Sequence, residues 1–530
     1  MNRLTALLIA AALWAGIYLP GLGSTELKGE EARRIMPAIT MLETGDWVVP
    51  VVGGKANHRK PPLVQWCIAG SIQLFGKNEF AARLPSAMSV LALAVVMIVA
   101  TRGWLTAEQS LLGAILMMTQ ICMVEKCRLA EIEAVYVGLS GIAMVLWLSW
   151  WMRGKSPWLL WTVPMLFNGL ALLAKAPLHI AFFYALVVGV LWAAGEKRKL
   201  WSLPHLLGVL LMLGVFGAWA ALYFQRQELQ AVLQVWERQS TGRVTGAEFE
   251  FGRWLMNLPK GVANHLPWIL FAPLLWRKLP EGLSEKESAM LRGGRWALAG
   301  CFVVTLLIPG MLPRYMQPLA VPFALLLVPV VWNLPERLRV VFRRILKSLS
   351  GLFFLVAIGA PFFMTSFIKG DYPKLSLVVP IIMAVMAGLI WAAYVCTQSR
   401  MQELLHLTLW CAGMFCFLML FYALAVVPIL RTKENIRPFS AELDAALPKG
   451  GQVVAYGVDD YPPLLATLFY LKHPFVFAPT TDDIPRDARY FLLREKDRKK
   501  LSSKWEIKNA LLASEKEMSS VLLEAGRRKD

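Results

Sequence analysis

Metal and disulfide frameworks are the first things this chain lacks. It has 6 histidines and 7 cysteines in 530 residues. No C-x-x-C pair occurs, and His58, His179 and His265 fall at no metal-ligand spacing, so no zinc ribbon or cystine scaffold is readable. Charge is also scarce. Only 17% of residues are charged against 57% hydrophobic, far from the balance of a soluble globular chain. There is no low-complexity segment and no internal repeat, and paired repeats are a common mark of transporters. Acidic residues are outnumbered by basic ones, 36 to 55, for a net charge of +19. Much of that excess gathers at the ends of apolar runs on one side, so it is no evidence for nucleic acid.

What is present is apolar sequence in long runs. Crossing ~30 Å of hydrocarbon takes about 20 residues, and about thirteen runs approach that length. They cover 4–20, 84–101, 106–124, 131–151, 157–174, 177–194, 204–223, 262–276, 295–309, 316–333, 348–367, 375–396 and 405–428. The runs 262–276 and 295–309 are short and interrupted by Pro267, Pro273 and Pro309. Leu63 to Phe75 is too short to span and is expected at the interface or buried. The first run reads as an uncleaved signal anchor, because Pro20-Gly21-Leu22-Gly23 is a weak cleavage context.

Lysine and arginine set the orientation. Arg153 and Lys155, Lys197-Arg198-Lys199, Arg277-Lys278 and the cluster Arg337 to Lys347 share one side of the span count, which is therefore cytoplasmic. The N-terminus is expected inside. The loop of about 21–83, the turn Glu125 to Arg128, the loop 225–261 and the C-terminus are expected outside. Composition turns soluble after Leu430, so the expected domains are 1–430, transmembrane and catalytic, and 431–530, a small α/β domain. Within the latter, Phe439 to Leu447 reads as a helix, Gln452 to Gly457, Phe475 to Ala478 and Tyr490 to Leu493 as strands, and Asp459-Asp460 as caps of a helix through Leu471.

Chemistry-bearing residues concentrate in the first outer loop. Glu30, Glu31, Arg33 and Arg34 put carboxylate and guanidinium three or four residues apart on a helix, where a pair holds an acid charged and oriented. A solvated surface helix is the plain alternative. In Arg59-Lys60-Pro61-Pro62-Leu63, Pro61 biases Lys60 toward extended backbone at the brink of an apolar segment. An ammonium there suits a phosphate; a snorkelling lysine is the alternative. Arg128, Glu131 and Glu133 stand where a span enters the membrane. Ionisable groups at that depth are costly unless they face a cavity or a partner. Arg128 and Glu131 also form an i, i+3 pair, so one glutamate has a structural reading. Lys175 interrupts two apolar helices, Arg238 and Arg243 in the long loop suit bidentate phosphate contact, and Pro313-Arg314-Tyr315 closes another outer turn.

In this order the motifs resemble the bacterial GT-C glycosyltransferases of the protein-mannosyltransferase and aminoarabinose-transferase (ArnT-like) kind. They are Gly29-Glu30-Glu31-Ala32-Arg33-Arg34, Thr44-Gly45-Asp46-Trp47, Lys60-Pro61-Pro62-Leu63, Arg83-Leu84-Pro85-Ser86, Arg128 with Glu131 and Glu133, Leu173-Ala174-Lys175-Ala176-Pro177, Pro267-Trp268, and Arg314-Tyr315 with Pro318. The resemblance covers about the first 325 residues. It implies a polytopic all-α membrane protein of GT-C type in the bacterial inner membrane, with a periplasmic C-terminal domain. It also implies transfer of a sugar from a polyprenyl-phosphate donor to a lipid or protein acceptor. Glu30 then matches the first-loop acid and Glu133 the second, and both are expected to be catalytic. Arg33 and Lys60 match phosphate contacts, with Lys175 and Arg243 as weaker ones, and Tyr315 matches an aromatic position. Glu31, Arg34, Arg128 and Glu131 complete the expected substrate-binding set.

Two positions depart from the pattern. Aminoarabinose transferases resembling this chain place an acid, part of a metal site, before the lysine of K-P-P-L. Here Arg59 stands there, so bound zinc is not carried over and a divalent metal is not readable. Arg34 replaces a tyrosine. The competing reading is a transporter or flippase for a lipid-linked sugar. A third, a structural membrane subunit, leaves the Glu30 to Lys60 loop unexplained.

Overall fold

The computed structural model describes residues 1–175, 177–244, 249–345, 347–348, 351–352, 355, 403–458, 461–513 and 520–528. The expected spans 375–396 and most of 348–367, and the expected caps Asp459 and Asp460, lie outside these residues. The first helices are α1 (Arg3–Tyr18), α2 (Ala32–Thr44), α3 (Leu63–Phe75) and α4 (Glu79–Ala100), with a hairpin of β1 (Val51–Val52) and β2 (Lys55–Ala56) between α2 and α3. Next come α5 (Ala107–Met118), α6 (Ile121–Lys126), α7 (Ile132–Met152), α8 (Pro157–Ala174), α9 (Leu178–Ala193) and α10 (Leu203–Phe224). They are followed by α11 (Leu229–Val244), α12 (Phe251–Ala263), α13 (Glu285–Leu307) and α14 (Ala320–Trp332). Short 3-10 helices, Trp268–Trp276 and Pro313–Leu319, precede α13 and α14.

Among the described residues seven helices are long and apolar enough to cross a membrane: α4, α7, α8, α10, α13, Pro313–Trp332 and Glu403–Thr432. The apolar helices α1, α3, α5 and α9 are shorter. Three runs differ from the sequence reading. The run 106–124 is two helices, because the chain turns extended at Gln120 and the amides of Ile121 and Cys122 leave the helix for the carbonyls of Leu266 (3.0 Å) and Asn264 (2.9 Å). The run 262–276 holds the end of α12 and a nine-residue 3-10 helix. The run 295–309 is the second half of α13, whose first turns carry Glu285, Lys286 and Glu287 behind a Ser284 capping box.

The chain divides into two compact units. The first comprises Met1–Leu22, Arg59–Pro61 and Leu84–Pro428. Its α7 is apolar on all sides and 89% of its spanning window is buried, as befits a helix surrounded by others. Trp147 stacks parallel on Trp151 and meets Trp161 and Phe183. Side-chain donors close gaps between helices: the Trp14 indole donates to the Ala87 carbonyl (2.7 Å) and the Tyr18 hydroxyl to that of Met118 (2.7 Å). In a medium without water such carbonyls need partners from protein.

The second unit comprises Gly23–His58, Pro62–Arg83 and Ile429–Asp530. It is thus wider than the 431–530 segment read as a domain, since residues 23–58 and 62–83 pack with the C-terminal region. Its sheet has the order β4-β3-β5-β7-β6, from β3 (Val453–Tyr456), β4 (Phe475–Ala478), β5 (Tyr490–Arg494), β6 (Trp505–Ala513) and β7 (Ser520–Arg528). Strands β4, β3 and β5 are parallel, and β7 runs antiparallel to β5 and β6. Val454, Phe491, Leu493, Leu501, Trp505 and Leu523 form the core. Helix α2 packs against helix Pro462–Tyr470. Glu26 accepts from the amides of Ile436 (3.0 Å) and Arg437 (3.3 Å) at the start of helix Ile436–Ala446, satisfying donors that a helix start leaves open.

Candidate active site

In the first unit the polar residues converge on Glu133, in the opening turn of α7 and 6% exposed. Its Oε1 lies 3.0 Å from the Lys175 ammonium and 3.4 Å from Arg314 Nε. Lys175 ends α8, and its ammonium also sits over the rings of Tyr136 (5.2 Å) and Tyr315 (5.5 Å). One carboxylate thus lies between two cations at a helix start, the pairing that an ionisable group among apolar helices requires. Tyr136 meets His179 edge to face, which fixes the ring under Lys175.

Arg314 also lines a cavity of about 490 Å³, together with Lys126, Lys260, Asn264, Gln317 and Glu125. Three cations face one carboxylate in that wall, the balance an anionic ligand requires. The wall is pinned by side-chain amides: half-buried Asn264 donates from Nδ2 to the Pro313 carbonyl (2.7 Å) and buried Asn257 from Nδ2 to that of Met311 (2.9 Å). Deeper in, His265 Nδ1 is 2.6 Å from Gln120 Oε1, and Gln120 donates to the Ala320 carbonyl (2.9 Å). The irregular backbone after α5 and α12 is therefore held by polar contacts around a cavity.

Glu131 and Arg128 have other neighbours. Glu131, 6% exposed, has Lys126 at 3.7 Å. Arg128 donates to the carbonyls of Ile17 (2.6 Å) and Pro20, closing the end of α1, and lies over the Tyr422 ring. It is a fastener of the helix end as well as a cation. Lys60 is half-buried in the bend ahead of α3 and Arg59 is exposed. Arg243 lies in α11, outside the residues whose side chains are described.

The second unit holds the other expected acids. Glu30 is 34% exposed, with Arg33 Nη1 at 2.5 Å and Arg34 Nη2 at 3.5 Å. It lines a mostly apolar cavity of about 260 Å³ with Leu27, Ala32, Ile436, Pro462 and Pro463. Glu31 is fully buried. Its two oxygens take Arg83 Nε at 2.7 Å and Nη2 at 2.8 Å, and the Lys28 amide donates to it at 2.8 Å. Arg83 spends further donors on the carbonyls of Thr25 and Glu26, both at 3.0 Å. The pair fixes the backbone that presents Glu30.

Sequence reasoning named Glu133, Lys175 and Tyr315 but assigned no role to Arg314, Lys126 or Lys260. Arg314 carried a signal: an arginine between two prolines just before a wholly apolar helix has no cheap reason to be there. Among the described residues no group of three or more His, Cys, Asp or Glu side chains gathers.

Three comparisons bear on kinship. The family model for dolichyl-phosphate-mannose-protein mannosyltransferase matches residues 59–221. The undecaprenyl phosphate-alpha-4-amino-4-deoxy-L-arabinose arabinosyl transferase 2 of Pseudomonas fluorescens (strain Pf0-1) is 28% identical over 335 residues, 62% of this chain. Transferase 1 of strain ATCC BAA-477 / NRRL B-23932 / Pf-5 is 27% identical over 415 residues, 75% of this chain. The chain spans 60% of the length of the first of these relatives and 71% of the second. The fold matches that of ArnT from Cupriavidus metallidurans, crystallised with undecaprenyl phosphate, over 98% of this chain and 97% of that one, with a TM-score of 0.72 at 17% identity. Family model, relatives and fold point the same way: the chain is similar to membrane transferases of the protein-mannosyltransferase and aminoarabinose-transferase kind and shares the ArnT fold.

Proposed function

We propose that this chain is an integral-membrane glycosyltransferase that moves a sugar from a polyprenyl-phosphate donor to a lipid A-like or protein acceptor. The reading includes about thirteen spans in a bacterial inner membrane, the N-terminus in the cytoplasm and the C-terminal region in the periplasm. The carrying observation is the cation-lined cavity whose Arg314 also belongs to the Glu133–Lys175 cluster. An apolar-walled pocket with a few convergent cations suits a lipid phosphate better than it suits a free sugar.

The reaction is a displacement at the anomeric carbon. The acceptor oxygen forms the new bond, the bond from that carbon to the phosphate oxygen breaks, and polyprenyl phosphate leaves with the electron pair. Glu30 takes the acceptor proton as general base, oriented by Arg33 and Arg34. Arg33 and Lys60 stabilise the growing phosphate charge, Glu133 orients Lys175 and Arg314, and no step requires a metal.

Purified protein in liposomes with radiolabelled polyprenyl-phosphate sugars and a mixed lipid and peptide acceptor panel tests this. Wild type should transfer label, and Glu30→Gln and Lys60→Ala should each lose roughly 10²-fold or more. Label that crosses the bilayer without ever being consumed would replace the enzyme by a flippase.

A further inference from the structure

Outside the polar groups already described, the second unit contains a cavity of about 750 Å³, in the size range of roughly 300–1,000 Å³ usual for ligand pockets. Its floor is a closed network. Glu79, 9% exposed, takes the Arg437 guanidinium, with Nε at 3.0 Å, and the Tyr470 hydroxyl at 2.8 Å. Arg437 also holds Glu434 at 2.9 Å, and the Leu27 amide donates to the Tyr470 oxygen at 2.9 Å. The carboxylate there is neutralised and does not repel an anion.

Around this floor stand three exposed cations, Lys77, Arg431 and Lys472. None is within ion-pair distance of a carboxylate among the described residues. Arg431 gives Nε to the Ser24 carbonyl at 2.7 Å, and Lys77 lies over the Phe469 ring at 5.5 Å. Asp444, the nearby acid, is occupied: it accepts from the amides of Lys472 and His473 and from His473 Nδ1 at 2.8 Å.

The place of these cations in the fold says what they meet. Lys77 lies two residues before the start of the span α4, and Arg431 lies one residue before the end of the span Glu403–Thr432. Both thus stand where a helix leaves hydrocarbon. Beside them the chain exposes apolar side chains that a water-facing surface would bury: Leu74 (78%), Phe75 (52%) and Phe80 (38%), the two rings edge to face at 6.2 Å. Exposed apolar groups flanking unpaired cations at a span end match the two halves of an anionic lipid.

We infer that this cavity seats the phosphate of an anionic membrane phospholipid, gripped by Lys77, Arg431 and Lys472 above the Glu79–Arg437 floor, with its acyl chains against Leu74, Phe75 and Phe80. The bound lipid is an accessory to the protein and is not consumed.

The test uses the full chain in phosphatidylcholine nanodiscs doped with spin-labelled phosphatidylglycerol, compared with spin-labelled phosphatidylcholine. Wild type should immobilise the anionic label preferentially, and Lys77→Gln, Arg431→Gln and Lys472→Gln should each cut the preference roughly fivefold. The triple Gln variant should abolish it, and Lys499→Gln with Lys500→Gln should leave it intact. The triple Glu variant should exclude the label, and the neutral Gln set keeps the test valid if charge reversal hinders folding. Preference unchanged in the triple Gln variant overturns the proposal. Displacement of the label by inorganic phosphate, with no dependence on lipid, also overturns it in favour of a site for a soluble phosphate.

Discussion

Glu30 and Glu31 are chain neighbours, yet one is a third exposed between two arginines and the other is enclosed against Arg83. Their substitutions should separate cleanly. Removing one partner of a buried ion pair costs about 3–5 kcal/mol, so Glu31→Gln should lower the unfolding temperature sharply. Glu30→Gln should leave it in place while turnover falls by roughly 10²–10⁴. Tryptophan fluorescence on heating in detergent, beside the transfer assay, reads both. A Glu31→Gln variant as stable as wild type would return Glu31 to the ligand set. The sequence could not separate the two acids, because the partner that buries Glu31 lies 52 residues away and i, i+3 spacing reports local pairs alone. Arg128 shows the same limit: its partners are backbone carbonyls, which every residue has and no side chain announces. Glu133 and Lys175 were legible for the opposite reason, since charge inside apolar sequence stands out whatever its partner.

At the scale of elements, α8 has the limits read from its apolar run, and α3 those read for a segment too short to span. Uniform apolar runs ended by proline or glycine are easy to delimit. Helix α13 was read short because its first turns are charged, although Ser284 and Glu287 mark its start as a capping box. The packing of α13 was not legible at all. It meets α9 through Gly293 and Gly189, backbone to backbone: a Cβ on Gly293 would lie 2.0 Å from the Gly189 carbonyl oxygen. Small residues let membrane helices approach in this way. Gly293→Ala should therefore cost about 1–3 kcal/mol or more by forcing the two helices apart. In α10, Gly214 has open space around its Cβ position, so Gly214→Ala should be neutral or gain up to about 1 kcal/mol in helix propensity. Thermal unfolding of the two variants side by side tests the contact. Equal stability would mean that α9 and α13 do not touch at these glycines.

At the scale of the molecule, the loop that carries Glu30 depends on sequence four hundred residues away. The Leu27 amide donates to Tyr470, the Glu26 amide donates to Glu434, and the Glu26 carboxylate caps helix Ile436–Ala446. Apolar runs coincide with the seven helices of spanning length among the described residues, and the composition changes in the region after Leu430. Composition is a local property, however, and could not report that residues 23–58 and 62–83 fold with that region. Strands β6 and β7 escaped for a related reason, since polar residues (Glu506, Lys508 and Asn509 in β6; Glu524, Arg527 and Arg528 in β7) interrupt their apolar stretches and they lack the continuous apolar signature of the buried β3. If the C-terminal region were only a cover, a chain ending at Thr432 would keep an ordered loop and measurable transfer. Because Tyr470, Glu434 and the helices they sit on are structural partners of the loop, that truncation should leave the spans intact but abolish transfer. It should also open Gly23–His58 to protease, with new cleavage after Arg33 and Arg34, which are half-buried in the intact chain. Limited trypsin digestion in detergent, read by mass, decides between these outcomes. A truncated chain as resistant as the full one would mean that the loop orders itself, and the long-range contacts of Glu26 and Leu27 would then be consequences of its shape.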